Sequence, residues 1–386
     1  MPSRRLPPTL EPNALTLEVE RFRREGRAFL DLTVTNPTRC GLAFPGEELL
    51  AALASPRALA YHPDARGSRG AREAVAAWHG RGLDPDDLVL TASTSEAYGW
   101  LFKLLCDPGD DVLVPAPSYP LFHWLAALEG VEARPVPALA FGRWHLDLQG
   151  LEAALTPRTR AVVVVNPNNP TGQFLTLGEW EGLLAFCEAK GLALLVDEVF
   201  ADYALEPPPD RLETALAETA PPCPLFVLSG LSKIAALPQV KLGWIAARGR
   251  LARELLEPLS FIADQYLSVS APAQAACGEI LRLAPAVQAG LRERLRRNLA
   301  ALDGALAGRP AFTRPPVEGG WSALVRIPAL EPGEACALRL LREADLLVHP
   351  GHFFDIPGDG HLVVSLLPQV FPDGIERMLA HLQSRL

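Results

Sequence analysis

The chain has 386 residues, of which 49% are hydrophobic and 21% charged. That is enough apolar material for a sizeable core, and it excludes a mostly disordered polypeptide. With 36 Lys and Arg against 45 Asp and Glu, the net charge of −9 has the wrong sign for a nucleic-acid binder.

In chain order, the first 44 residues give a helix and then a Pro- and Gly-rich loop, TNPTRCGLAFPG. TASTSEA, Thr91 to Ala97, marks a strand running into a helix over Ser95–Leu105. Short apolar runs follow at Asp111–Val114, Ala161–Val165, Leu192–Val196, Leu225–Leu228 and Trp244–Ala247. Several are unbroken, as in strands buried on both faces. Between them, Leu177–Lys190 reads as a helix with Thr176 as N-cap and Gly191 at its end. This alternation predicts an α/β domain with a mostly parallel sheet. Gln274–Leu306 is continuously helical in pattern, with Leu291, Leu295 and Leu299 spaced by four, and is long enough to bridge two domains. Beyond it, Gly320–Ile327, Leu346–His349 and Leu362–Leu366 read as strands of a smaller α+β unit. Domain boundaries are expected at 45–275 for the large α/β domain, with 1–44 and 276–386 forming the small one. The basic stretches Arg21–Arg27 and Arg292–Arg297 read as solvated helix faces.

The six cysteines form no CxxC pair, and a disulfide framework is out of keeping with this length. The basic opening MPSRRLPPTLEPNAL lacks the apolar stretch of a secretory leader, and no apolar run approaches a membrane span. The expectation is a cytoplasmic protein that needs no metal, membrane or nucleic acid.

Ligands of an open parallel sheet bind beyond the carboxyl ends of its strands. Three such ends carry polar groups: NPNNPTG (Asn166–Gly172), then Asp197 and Glu198, then SGLSK (Ser229–Lys233). Lys233 is one of only four lysines, and it follows a buried strand. A desolvated or cation-neighboured lysine loses basicity and becomes a nucleophile toward carbonyls. Lys241, eight residues on, supplies a second cation that either depresses Lys233 or binds a phosphate. The plain alternative is a surface lysine at a strand end. Asp197 alone is equally a helix cap or turn residue, Asn169 an Asn-Pro turn, Tyr119 a core aromatic, and Thr94 or Ser95 an N-cap.

Together, NPNNPTG, LLVDEVF (Leu194–Phe200) and SGLSKIAALPQVKLGW (Ser229–Trp244) resemble the class I/II pyridoxal-phosphate-dependent aminotransferases of fold type I. The intervals Asn169–Asp197, Asp197–Lys233 and Lys233–Lys241 are 28, 36 and 8 residues. The likeness runs from YHPDARGSRGAREAV at Tyr61 to HPGHFFD at His349. It implies a seven-stranded-type, mostly parallel sheet flanked by helices, and pyridoxal 5'-phosphate as cofactor. It implies that Lys233 forms the internal aldimine and then shuttles the substrate proton. Asp197 would pair with the pyridine nitrogen, Asn169 with the ring 3-oxygen, and Tyr119 would stack on the ring. Thr94, Ser95 and Lys241 would meet the phosphate, and Tyr61 would reach the phosphate of the neighbouring subunit in a homodimer with shared sites.

Three positions depart from the family. Lys241 stands where arginine is usual, which keeps the charge and loses the bidentate fork. Phe200 stands where tyrosine is usual, so a donor to the 3-oxygen is lost and the aldimine is expected to keep its proton to higher pH. Val363, in HLVVSLL, stands where the family has an arginine for the substrate carboxylate. Asn36 and Arg39 in the TNPTRCG loop are candidate substrate contacts, with His352 and His361 as further polar alternatives. The resemblance implies transfer of an amino group between an amino acid and a 2-oxo acid. The alternative is a β-lyase of the carbon–sulfur type on the same scaffold. A cofactor-binding regulator is disfavoured, because the N-terminal segment is too short and lacks a basic recognition helix.

Overall fold

A computed structural model describes residues 3–7 and 9–386. The main sheet has seven strands: β1 (Leu88–Thr91), β2 (Asp111–Ala116), β3 (Glu132–Pro137), β4 (Thr159–Val165), β5 (Ala193–Asp197), β6 (Leu225–Gly230) and β7 (Gly243–Arg248). Their order is β1-β7-β6-β5-β4-β2-β3. β7 runs antiparallel to both its neighbours and the other pairings are parallel, so the mostly parallel α/β sheet expected from the alternation is present.

β5 and β6 are buried at every position because apolar clusters cover both faces. Leu194 and Val196 pack with Leu183 and Leu184, while Ala193 and Leu195 pack with Leu101 and Phe102. β3 is legible only in the fold. It is a half-exposed edge strand with Pro135 and Pro137, as suits a strand with one unpaired side.

The register levels three strand ends. Val165 lies opposite Asp197, and Asp197 opposite Leu228, so NPNNPTG, Asp197 and Ser229–Lys233 emerge side by side. Gly243 lets the neighbouring ends close in: a Cβ there would sit 3.1 Å from Ser229 O and 3.2 Å from Thr91 Oγ1.

The helices that matter to the site are α1 (Ala14–Arg24), α2 (Thr94–Leu105), α3 (Leu177–Lys190), the single turn α4 (Leu231–Ile234) and α5 (Ala271–Leu306). α3 begins and ends as its sequence predicts. Thr176 and Glu179 form a capping box, and Gly191 takes the left-handed conformation at φ 64°. α5 places Leu291, Leu295 and Leu299 in an apolar cluster with Leu15, Val19 and Phe22 of α1. Arg294 corrects the reading of its helix face as solvated. It is buried and donates to the carbonyls of Cys40 and Leu367, both at 2.9 Å.

A second, antiparallel sheet contains β8 (Ser322–Arg326), β9 (His349–Pro350) and β10 (His361–Ser365), in the order β8-β10-β9. Leu30–Asp31 pairs in parallel with Leu346–Leu347. Ser365 N donates to Leu32 O and its hydroxyl to Val34 O, both at 2.7 Å. These bonds tie the TNPTRCG loop to the end of β10.

Candidate active site

Lys233 projects from α4, one turn beyond β6. Its Nζ lies 4.7 Å from the centre of the Trp321 ring and 5.3 Å from that of Phe200. Its backbone is pinned separately, by the Tyr203 hydroxyl donating to Lys233 O at 2.6 Å. Burial pulls the ammonium down to about 8, against the opposing pull of Asp197. A fraction of Lys233 is therefore free amine near neutral pH.

Asp197 closes β5 and is buried. Burial pushes its carboxyl up to about 6, opposed by donors from Val199 N–H and the Tyr98 hydroxyl and by the charge of Lys233. Val199 N–H reaches Oδ1 at 3.0 Å and Tyr98 reaches Oδ2 at 3.0 Å. Glu198 turns the other way, accepting from Thr214 Oγ1 and Ala215 N at 2.6 Å each. Burial pushes it up to about 7.

NPNNPTG divides its work among three asparagines. Asn166 is fully buried and bridges Leu212 O and Leu175 N, and Asn168 accepts from Thr171. Asn169 is the one turned to the second sheet. Ser322 Oγ lies 3.2 Å from its Oδ1, which leaves its NH₂ as a donor.

Ser93, rather than Thr94 or Ser95, caps α2, accepting from Glu96 N at 3.2 Å. Thr94 and Ser95 occupy the first helical positions, and among the described residues their hydroxyls have no hydrogen-bond partner. Ser229 Oγ, in the turn leading to Lys233, is buried and equally without a partner among the described residues. Lys241 is exposed in a left-handed conformation, φ 60°. Tyr119 is half exposed rather than core, and its neighbour Ser118 donates its N–H to Phe354 O at 3.0 Å.

Among the described residues, two sets of candidates share no hydrogen bond with this group. Tyr61 is 78% exposed in a cleft of about 900 Å³ lined by residues 57–71 and 263–279. Asn36 spends its Oδ1 on Thr38 N and Thr38 Oγ1, and Arg39 is exposed on the same short turn.

The second sheet offers its own face to Asn169. Strand alternation puts Ser322 and Ser365, then Leu324, Val363 and His349, then Arg326 and His361 on that side. Val363 and Leu324 pack with Trp144, Phe354 and Ile356. Burial lowers His349 and His361 from the usual imidazole range, so both are neutral near pH 7. Arg143, next to Trp144, is committed to Glu318 at 2.6 and 2.9 Å. Arg326 is exposed at the far end, roughly 13 Å along the strand from Ser322.

Tyr98, Tyr203 and Ser229 went unassigned in the sequence. The bonding partners of the first two are 99 and 30 residues away in the chain. Ser229 lay within the SGLSK motif and could have been found there.

Residues 42–382 match the family model for aminotransferase class I and II. An alanine aminotransferase of Mycobacterium bovis is 30% identical over 376 residues, spanning 90% of this chain and 83% of that protein. Glutamate-pyruvate aminotransferase AlaA of Escherichia coli K12 is 27% identical over 384 residues, spanning 94% of this chain and 91% of its own length. The solved structure of an alanine aminotransferase from Pyrococcus furiosus shares the fold, with a TM-score of 0.88 at 24% identity over the full length of both chains. The chain belongs to the class I and II aminotransferase family. It is a transaminase, and the family's cofactor is pyridoxal phosphate.

The residues present suit that cofactor. The buried, partnerless Ser229 hydroxyl and the open first turn of α2 are donors for a phosphate. The Asp197 carboxylate retains lone pairs for a ring N–H, Asn169 retains its NH₂ for a ring oxygen, and Lys233 offers an amine to the aldehyde.

Proposed function

We propose that this aminotransferase works from Lys233. Asp197 and Asn169 hold the ring of the cofactor, Tyr119 stacks on it, and Thr94, Ser95 and Lys241 hold its phosphate. The observation that carries this reading is the level ending of β4, β5 and β6, which delivers an amide, a carboxylate and an amine to one edge. When bound, the cofactor supplies an electron sink for the pair released at the substrate α-carbon. Asp197 supplies the negative charge that keeps the ring nitrogen protonated. Lys233 Nζ, in its neutral form, would accept the α-carbon proton and pass it to the aldehyde-derived carbon of the cofactor, and the second half of the cycle would run the same transfer in reverse. Tyr203 keeps the Lys233 backbone fixed meanwhile.

The donor substrate is an amino acid with a neutral, apolar side chain, and the acceptor is a 2-oxo acid. Two observations support the apolar side chain: the apolar Val363 face beside Asn169, and a relative named for alanine; the relative named for glutamate and pyruvate supports the 2-oxo acid. Asn36 and Arg39 serve the outer rim. The active unit is a homodimer in which Tyr61 enters the partner's phosphate site. The exposed Tyr61 and Leu267 that line the wide cleft support a covering copy. Residues 45–275 act as the cofactor-holding domain, and 1–44 with 276–386 as the domain that closes on substrate. The compartment is the cytoplasm: all six cysteines are free, and among the described residues no helix is long and apolar enough to cross a membrane.

The test is a visible spectrum of the cofactor-loaded protein against a panel of amino acids, followed by borohydride reduction and peptide mapping. Bleaching by apolar amino acids and labelling at Lys233 are expected. Labelling at another residue overturns the assignment. Light scattering in solution checks the dimer, with a monomer as the contrary result.

A further inference from the structure

We propose that Tyr98 is a positioning residue for the reaction: its hydroxyl aims the Asp197 carboxylate at the cofactor's ring nitrogen and keeps it ionised. This rests on the site proposed above.

The geometry is specific. Tyr98 Oη donates to Asp197 Oδ2 at 3.0 Å, and both residues are buried, 2% and 6% exposed. Val199 N–H takes the other oxygen. The carboxylate is thus held by one donor on each oxygen, which fixes its plane. The Tyr98 ring cannot drift, because it meets Phe122 edge-on at 5.1 Å and Phe102 at 6.0 Å. Burial and the neighbouring carboxylate raise the Tyr98 phenol well above its usual range, so it remains a donor throughout. An O–H donor favours the ionised carboxylate over the neutral acid.

Tyr98 also sits one helical turn beyond Thr94, on the same side of α2. One helix therefore carries the proposed phosphate-facing turn and the donor to Asp197. Phe200 adds meaning to this. The chain has no hydroxyl at 200 for the ring oxygen, and has one at 98 on the side of the ring nitrogen. Other charged groups bear on Asp197 too. Lys233 faces it from α4, and Glu198 adjoins it while bonding to Thr214 and Ala215. Both are retained in a Tyr98→Phe protein.

The experiment measures cofactor affinity of the apoenzyme against pH, by quenching of tryptophan fluorescence, in wild type, Tyr98→Phe and Asp197→Asn. Below the point where Asp197 takes up a proton, affinity for the ring-protonated cofactor falls tenfold per pH unit. Wild type is expected to break near the value of about 6 held by Asp197. Loss of a donor to a charged group moves the Tyr98→Phe break upward by about one to two pH units. The cofactor phosphate ionises in the same range but affects all three proteins alike. A Tyr98→Phe break that stays in place, with affinity lowered equally at every pH, overturns the proposal and leaves Tyr98 a packing residue. An Asp197→Asn protein with wild-type affinity and break sinks the underlying site assignment instead. A second readout is the thermal midpoint of the Tyr98→Phe apoenzyme above pH 8. It is expected to lie within a few degrees of wild type, so that a fold defect is not mistaken for the effect.

Discussion

Along the carboxyl edge of the large sheet, polar groups are placed singly and each has a defined job. Asp197 has a donor on each oxygen, Asn169 has its carbonyl occupied, and Lys233 has its carbonyl pinned; among the described residues the Asn169 NH₂ and the Lys233 amine make no hydrogen bond. The face of the small sheet beside them is built differently. Past Ser322 and Ser365 it turns apolar, with Val363, Leu324, Trp144 and Phe354, and its histidines are held neutral. The contrast separates two demands. Groups that repeat the same chemistry in every cycle need fixed charge in a low-dielectric setting. Near Asn169 the wall carries no charge, and in the function proposed above the substrate carboxylate is assigned to Arg39.

The largest effect tests the charged edge. Lys233→Ala should cut turnover by more than about 10⁴-fold, since it removes both the amine and the proton carrier. Single-turnover kinetics with added cofactor measures it, and retained turnover would show that another base serves. Next comes the apolar wall. Val363→Arg adds a guanidinium beside Asn169 and should lower KM for the amino acid about tenfold, leaving KM for the matching amino alcohol unchanged. An equal change for both compounds would mean that the wall does not meet the carboxylate.

A third prediction concerns the ring-side aromatic. Phe200→Tyr restores a donor near Lys233, and the visible spectral titration of the loaded enzyme should move to lower pH by about one unit. An unmoved titration would place the new hydroxyl out of reach. A fourth uses Lys233 itself. Uptake of cofactor by the apoenzyme needs neutral amine, so its rate should rise with pH and level off above about 8. The smallest effect is at the rim: Arg39→Ala should raise KM by no more than about fivefold, as expected for an exposed, solvent-screened charge.

Much of the charged edge was legible beforehand. Lys233, Asp197 and Asn169 follow unbroken apolar runs, so their strand-end positions could be read directly. The helix α3 was equally clear, because Thr176, Glu179 and Gly191 are local signals. Tyr98 and Tyr203 were not, since an aromatic on an apolar stretch looks like core until its distant partner is seen. The same holds for Arg294, whose carbonyl partners come from Cys40 and Leu367. The Val363 face needed the register of β8, β9 and β10, which no spacing within one strand reveals. β3 escaped because an edge strand need not be apolar.

The bond from Tyr203 to the main-chain oxygen of Lys233 separates anchor from arm. Four methylenes lie between that clamped pivot and the amine, and they alone need to swing when the nitrogen changes partners. The polypeptide itself can stay still through a catalytic round. The swing then takes place by rotation about carbon–carbon bonds beside Phe200 and Trp321, two rings that meet edge to face at 5.4 Å.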